Sequence, residues 1–195
     1  MEIIIVLAII GVSMFVVRVV VNLLDGFFQS SATTEAQRDV QSTLYNITKD
    51  IRNCQEIVDA SGSRLQLKMY NTKPGYRVMD QNTTLFNPNT YLTLTYEYEK
   101  VGNESYLKRT LTYPPTTTTP PDVKKLLRNI LVEPTPADYL FMACTPAEFA
   151  LGGRCTPGTA SAPFNAVDIR LSVSPLYVRH SASSYVSRVM RRSQR

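Results

Sequence analysis

The sequence predicts an α+β chain: a long N-terminal helix, half membrane anchor and half amphipathic stalk, packed on an antiparallel β-sheet head. Three observations predict it. Residues Ile3 to Leu24 form one apolar run, a single apolar stripe of helical period follows it, and the rest alternates in strand-length pieces separated by Gly, Pro and Asn. The expected division is 1–25 as anchor, 26–56 as stalk and 57–195 as a β-rich head. About 170 residues beyond the anchor suffice for one core.

The anchor reads IIIVLAIIGVSMFVVRVVVNLL. At roughly 20 residues it can cross a hydrocarbon layer as a helix. It is too long for a cleaved signal core. Arg18 and Asn22 lie toward one end of it, where a long side chain reaches the interface. Glu2 stands at its start, a carboxylate that stays with the headgroups or meets a partner charge when helices pack.

Asp25-Gly26 closes the apolar run, and Gly26 is a candidate kink. In the stalk, Val40, Leu44, Ile47, Ile51 and Cys54 recur at helical spacing among Gln37, Arg38, Asp39, Lys49, Asp50 and Arg52. The stripe should lie on the head's own sheet, with Cys54 as a buried free thiol. Anchor and stalk together imply a nearly continuous helix of about 50 residues, near 75 Å long.

In the head, Leu65, Leu67 and Met69 alternate as a first strand, and Lys73-Pro74-Gly75 marks a turn. Leu92, Leu94, Tyr96 and Tyr98 form a second strand. Gly102-Asn103-Glu104 turns it into a third, with Leu107, Arg109 and Leu111. Glu97 and Glu99 should face outward, solvated or paired with Lys or Arg across strands. Pro114 to Pro121 reads as a stiff loop. Asp122 to Val132 is predicted as a short helix, with Asp122 as N-cap and Val123, Leu126, Leu127, Ile130 and Leu131 inward. Strands are expected at Tyr139–Ala143, Val167–Val173 and Ser184–Met190.

Cys144 and Cys155 bracket a loop containing Pro146, Gly152 and Gly153. In an exported head a disulfide there is expected, and closing so short a loop contributes about 3 kcal/mol in the chain-entropy model. A metal site would want more Cys or His ligands than lie nearby, so no metal is expected. The formal net charge is +5, with Arg179, Arg188, Arg191, Arg192 and Arg195 crowding the end and Lys124, Lys125 and Arg128 forming a smaller cluster. Such groups bind phosphate backbones or anionic surfaces, or simply form a solvated end. Arg188, Arg191, Arg192 and Arg195 are the candidate nucleic-acid contacts.

Chemistry is sparse. His180 is the sole histidine and sits in Arg-His-Ser-Ala-Ser-Ser, read as a loop. No phosphate-binding glycine loop and no His-Glu-x-x-His occurs, so neither an enzyme nor a cofactor is expected.

Glu2 leading into apolar residues up to Gly11, E-IIIVLAIIG, resembles the signature of type IV pilins and type II secretion pseudopilins. That resemblance implies a pilin-like fold and makes Glu2 and Gly11 the assembly residues. In the family the glutamate follows a prepilin-peptidase cleavage site and neutralises the methylated N-terminal amine of a neighbouring subunit. Met1 alone precedes Glu2 here, so no cleavage site is assigned. Arg38-Asp39, Leu44 and Asp50-Ile51-Arg52 are similar to the stalk of W-type minor pilins and J-type pseudopilins. The implied partners are other pilin subunits, membrane lipid, prepilin peptidase and an inner-membrane assembly platform. The implied place is the cytoplasmic membrane with the head outside, then a surface filament of the kind used in adhesion, motility, secretion or DNA uptake. The alternative is a single-pass anchored extracytoplasmic binding module that contacts nucleic acid through its basic end.

Overall fold

A computed structural model describes residues 2–70, 91–114, 119–131, 138–152, 154–158, 160, 164–174 and 183–191, the side chains of residues 2–10, 70 and 183 excepted. The expected turn at Lys73-Pro74-Gly75, residues 115–118 of the proline-rich loop, and His180 lie outside these residues. One helix, α1, runs from Glu2 to Asn53 and passes through Asp25-Gly26 without a break. The other described residues supply one eight-stranded antiparallel sheet and a short helix.

The strands are β1 (Glu56–Gly62), β2 (Arg64–Tyr70), β3 (Tyr91–Val101), β4 (Glu104–Thr112), β5 (Asp122–Arg128), β6 (Phe141–Cys144), β7 (Ala166–Val173) and β8 (Ser183–Met190). Their order is β5-β4-β3-β2-β1-β6-β7-β8. The β3–β4 hairpin has the register expected of its alternation, with Leu94 opposite Leu111, Tyr96 opposite Arg109 and Tyr98 opposite Leu107. Gly102 makes its turn at φ +63°, a left-handed conformation that glycine adopts without steric cost. Outside, Lys108 reaches Glu99 at 3.4 Å.

The sheet curls until one end closes on itself. Past β5, Asn129 turns the chain at φ +56°, a conformation Asn tolerates. Its N–H donates to the Ser105 carbonyl at 2.9 Å, and the Leu131 N–H donates to the Ser172 carbonyl at 2.9 Å. Ile130 forms a bridge with Val173. Residues 129–131 thus tie β4 to β7.

The stalk half of α1 lies in the curl, touching both edge strands, β5 and β8, as well as β2 and β7. Val40, Ile47, Ile51 and Cys54 are buried as the stripe predicts. Thr43, not Leu44, is the buried residue between Val40 and Ile47, and Leu44 packs half-covered beside it. These side chains join Leu65, Leu67, Leu94, Tyr96, Phe141, Ile169 and Leu171 in the main core. Each such burial contributes about 1.5–3 kcal/mol. At the helix C-terminus Asp50 accepts from the Tyr96 hydroxyl at 2.5 Å and lies 3.5 Å from the Arg109 guanidinium. This polar tie joins stalk, β3 and β4 inside the fold.

In place of the helix expected at Asp122–Val132, residues Asp122–Arg128 form β5. Asp122 pairs with Leu111 instead of capping a helix, and Val123 and Leu131 are exposed. The reason is a bulge. The β4–β5 register slips between Leu107 and Lys108, leaving Leu126 as the extra residue. Leu126 and Leu127 both lean on the core, and two adjacent inward residues imitate helical spacing. Strand β1 is hidden in the sequence by the same device. Its register slips between Ile57 and Asp59, leaving Val58 exposed and breaking the alternation.

Tyr96 is fully buried and donates to a carboxylate. Tyr96→Phe should therefore destabilise the detergent-solubilised full chain by about 1.5–3 kcal/mol, measured by thermal unfolding followed by circular dichroism. A loss below about 0.5 kcal/mol would show that this tie contributes nothing net.

Candidate functional site

The feature most in need of a partner is the first half of α1. Side chains 11–31 are all exposed, and Val12, Met14, Phe15, Val17, Leu23, Phe27 and Phe28 each keep more than 60% of their surface open. A contiguous apolar surface of this size marks a membrane or protein contact. The helix is long and apolar enough to cross a membrane, with a mean hydropathy of 1.7 over its best window. Gly11 lies within it, and a Cβ placed there would meet nothing. Glu2 begins the helix, and its side chain lies outside the description.

A second feature covers the convex face of β6–β8. Cys144 and Cys155 form a disulfide, with Cα atoms 5.2 Å apart. The loop carries a short helix, α2 (Pro146–Leu151), begun by a capping box in which Thr145 accepts from the Glu148 N–H and Glu148 accepts from the Thr145 N–H. The other Glu148 oxygen takes the Thr156 N–H at 2.8 Å, tying both ends of the loop together. These backbone donors, Thr145 first, lower the Glu148 carboxyl from 4.5 to about 2. The signal for α2 is present in the sequence as Thr-Pro-Ala-Glu.

Beneath this lid lies Asp168, which is fully buried. It accepts from the Tyr139 hydroxyl at 2.6 Å and from Arg170 Nε at 2.9 Å, and it faces Arg188 Nε at 3.4 Å. Burial, then the bond to Asp168, pushes the Tyr139 phenol up. The Cys155 N–H donates to that same phenol oxygen at 3.0 Å, which joins the disulfide to the ion cluster. Sequence reading misses Asp168, because a lone Asp between Val167 and Ile169 is the outward residue of an alternating strand until a lid covers it.

The basic C-terminus is placed differently from a free anion contact. Arg188 turns inward to Asp168 and donates to the Glu148 carbonyl at 3.0 Å. Arg191 donates to the Gln55 carbonyl and, at 3.2 Å, to Asn165 Oδ1. Both therefore tie the C-terminal strand to the fold. Arg192 and Arg195 lie outside the described residues. A shallow depression between Arg154, Arg170, Ser172 and Ser184 has its cations already facing Asp138 and Asp168. Among the described residues no group of three or more His, Cys, Asp or Glu side chains converges as metal ligands would. Comparison with protein-family models, with curated proteins and with solved structures finds no match to this chain.

Cys54 is buried and free, and burial pushes its thiol up to about 11, against a smaller opposing pull from Arg191. Only the thiolate is nucleophilic. At pH 8 the native chain should resist alkylation at Cys54 and react stoichiometrically once unfolded, as mass spectrometry reads. Rapid native labelling would contradict the burial. For Glu148 the folded pKa lies below the unfolded one, so its contribution is present above about pH 4.5 and is lost as pH falls towards about 2. Glu148→Gln should lower the melting temperature at neutral pH, and the gap from the parent should close across that acid window. A constant gap would mean that the charge is not involved.

Proposed function

We propose that this chain is a structural subunit, a minor pilin or pseudopilin, that assembles into or primes a type IV pilus-like filament. The observation that carries this reading is the two-part nature of one unbroken helix. Its second half is docked in the head, while the side chains of residues 11–31, most of them apolar, are all exposed. A rigid projection of that kind rests in a bilayer and later packs among copies of itself. The Glu2 signature supports the same reading, because a carboxylate leading an apolar helix gains a counter-charge when helices pack side by side. The disulfide fits a head outside the cytoplasm, since such bonds persist in oxidising compartments. Partners on this reading are sister subunits, membrane lipid, a prepilin peptidase and a membrane assembly platform.

Arg188 and Arg191 bond within the fold, which weighs against routing nucleic acid through them. Glu2→Ala should leave the chain in the membrane fraction and lower its incorporation into sheared surface filaments roughly tenfold or more, the equivalent of one charge-assisted contact. Equal incorporation would remove Glu2 from assembly. A chain found only in membranes, with no copy or filament component in crosslinks, would favour a single anchored binding module instead.

A further inference from the structure

The loop closed by Cys144 and Cys155 is joined to the end of the stalk by a continuous run of contacts. The Cys155 N–H donates to the Tyr139 hydroxyl at 3.0 Å, and that hydroxyl donates to Asp168 at 2.6 Å. Asp168 faces Arg188 of β8 at 3.4 Å, and Arg188 donates back to the Glu148 carbonyl in the loop at 3.0 Å. Next along β8, Val189 shares the main core with Ile51 and Cys54. Arg191 then donates to the carbonyl of Gln55, the residue after Cys54. A disulfide on the convex face is thereby connected to a thiol on the concave one.

The element able to respond is β8. It is an edge strand whose ladder runs to β7 alone, and its other support is the helix. On its convex face Val186 and Met190 are exposed, so Arg188 is the residue that fastens it to the lid. That fastening depends on the lid. Asp168 is fully buried beneath it, and a charge pair weakens as the effective dielectric around it rises. Once hydrated, the same pair contributes little.

We propose that the Cys144–Cys155 bond is a redox latch on the stalk. With the bond made, β8 is pinned over the last turn of α1. With two thiols in its place the lid opens, water reaches Asp168, and β8 leaves the helix end far more often, while β2–β4 stay folded. Closing the latch joins the two Sγ atoms, and their two protons and two electrons pass to a disulfide oxidant, which leaves as a dithiol. On the reading of an exported head this oxidation happens outside the cytoplasm, so the stalk is seated firmly only after export. The latch operates whether or not the chain joins a filament.

The test uses the detergent-solubilised full chain, with Cys54 as the reporter. The chain has three cysteines, so Cys54 is the only free thiol in the parent and the only cysteine left in C144S/C155S. Its alkylation rate reads how often its cover opens. C144S/C155S should label at least about tenfold faster than the parent. Hydrogen exchange should show protection lost in β8 and residues 50–55 and kept in β2–β4. Y139F retains the bond but cuts its connection to Asp168, and it should label at least about threefold faster. A smaller change in C144S/C155S, or protection lost across β2–β4 as well, would overturn the latch. An unchanged rate in Y139F would overturn the route through Asp168. Should C144S/C155S fail to accumulate folded, Y139F decides alone.

Discussion

The insertion of one helical stripe into a curled sheet is the interaction on which the remaining structure depends. Val40, Thr43, Ile47, Ile51 and Cys54 fill the concavity, and the helix lies against both β5 and β8 at the sheet's edges. Without it the sheet would expose its concave core and both edges at once, an invitation to aggregation. The helix is equally committed, because its backbone hydrogen bonding runs unbroken from the docked half into the bare one. Fixing residues 40–54 therefore aims the apolar half as a rigid projection, and the head's fold sets the direction in which it leaves.

Polar ties on the two faces of the sheet play different parts. On the concave side Asp50, Tyr96 and Arg109 bind the last helical turn to the hairpin, in a place where apolar packing alone would allow the helix to slide. On the convex side Asp168 sits under the disulfide lid with Arg170, Arg188 and Tyr139. Buried ion clusters seldom add much net stability, but they are costly to break, so they favour one arrangement over its neighbours. Here the cluster holds β8 and the lid in a single register, and the Cys155 N–H links it to the covalent crosslink.

Much of this was legible in the sequence. The helix, its stripe, the β3–β4 hairpin, β7, β8 and the Cys144–Cys155 bond all follow from period, turn residues and cysteine spacing. The two misread strands share a cause. In β1 and β5 a bulge adds one residue, and a two-residue period with one insertion no longer reads as a strand. In β5 the inserted Leu126 beside Leu127 produces an i, i+1 pair that a helix would also supply. Thr43 displaced Leu44 from the buried stripe because residues 43 and 44 lie only 100° apart around the helix, and the curvature of the sheet chooses between them. The inward turn of Arg188 was invisible for a different reason: its partner Asp168 is 20 residues away, and only the sheet register brings them opposite.

The same logic applies to what the apolar half of α1 can recognise. Lipid tails are as apolar as Val and Leu, so exchanging lipid for a neighbouring helix yields little hydrophobic gain. Shape and polar groups must then decide which helices meet and in what register. In residues 14–28 the polar side chains are few, of both signs, and confined to one side. Arg18 and Asp25 stand toward the end of the apolar run, where a long side chain reaches the interface and stays hydrated. The docked stripe also fixes which side of the helix these charges occupy, because one unbroken helix carries both.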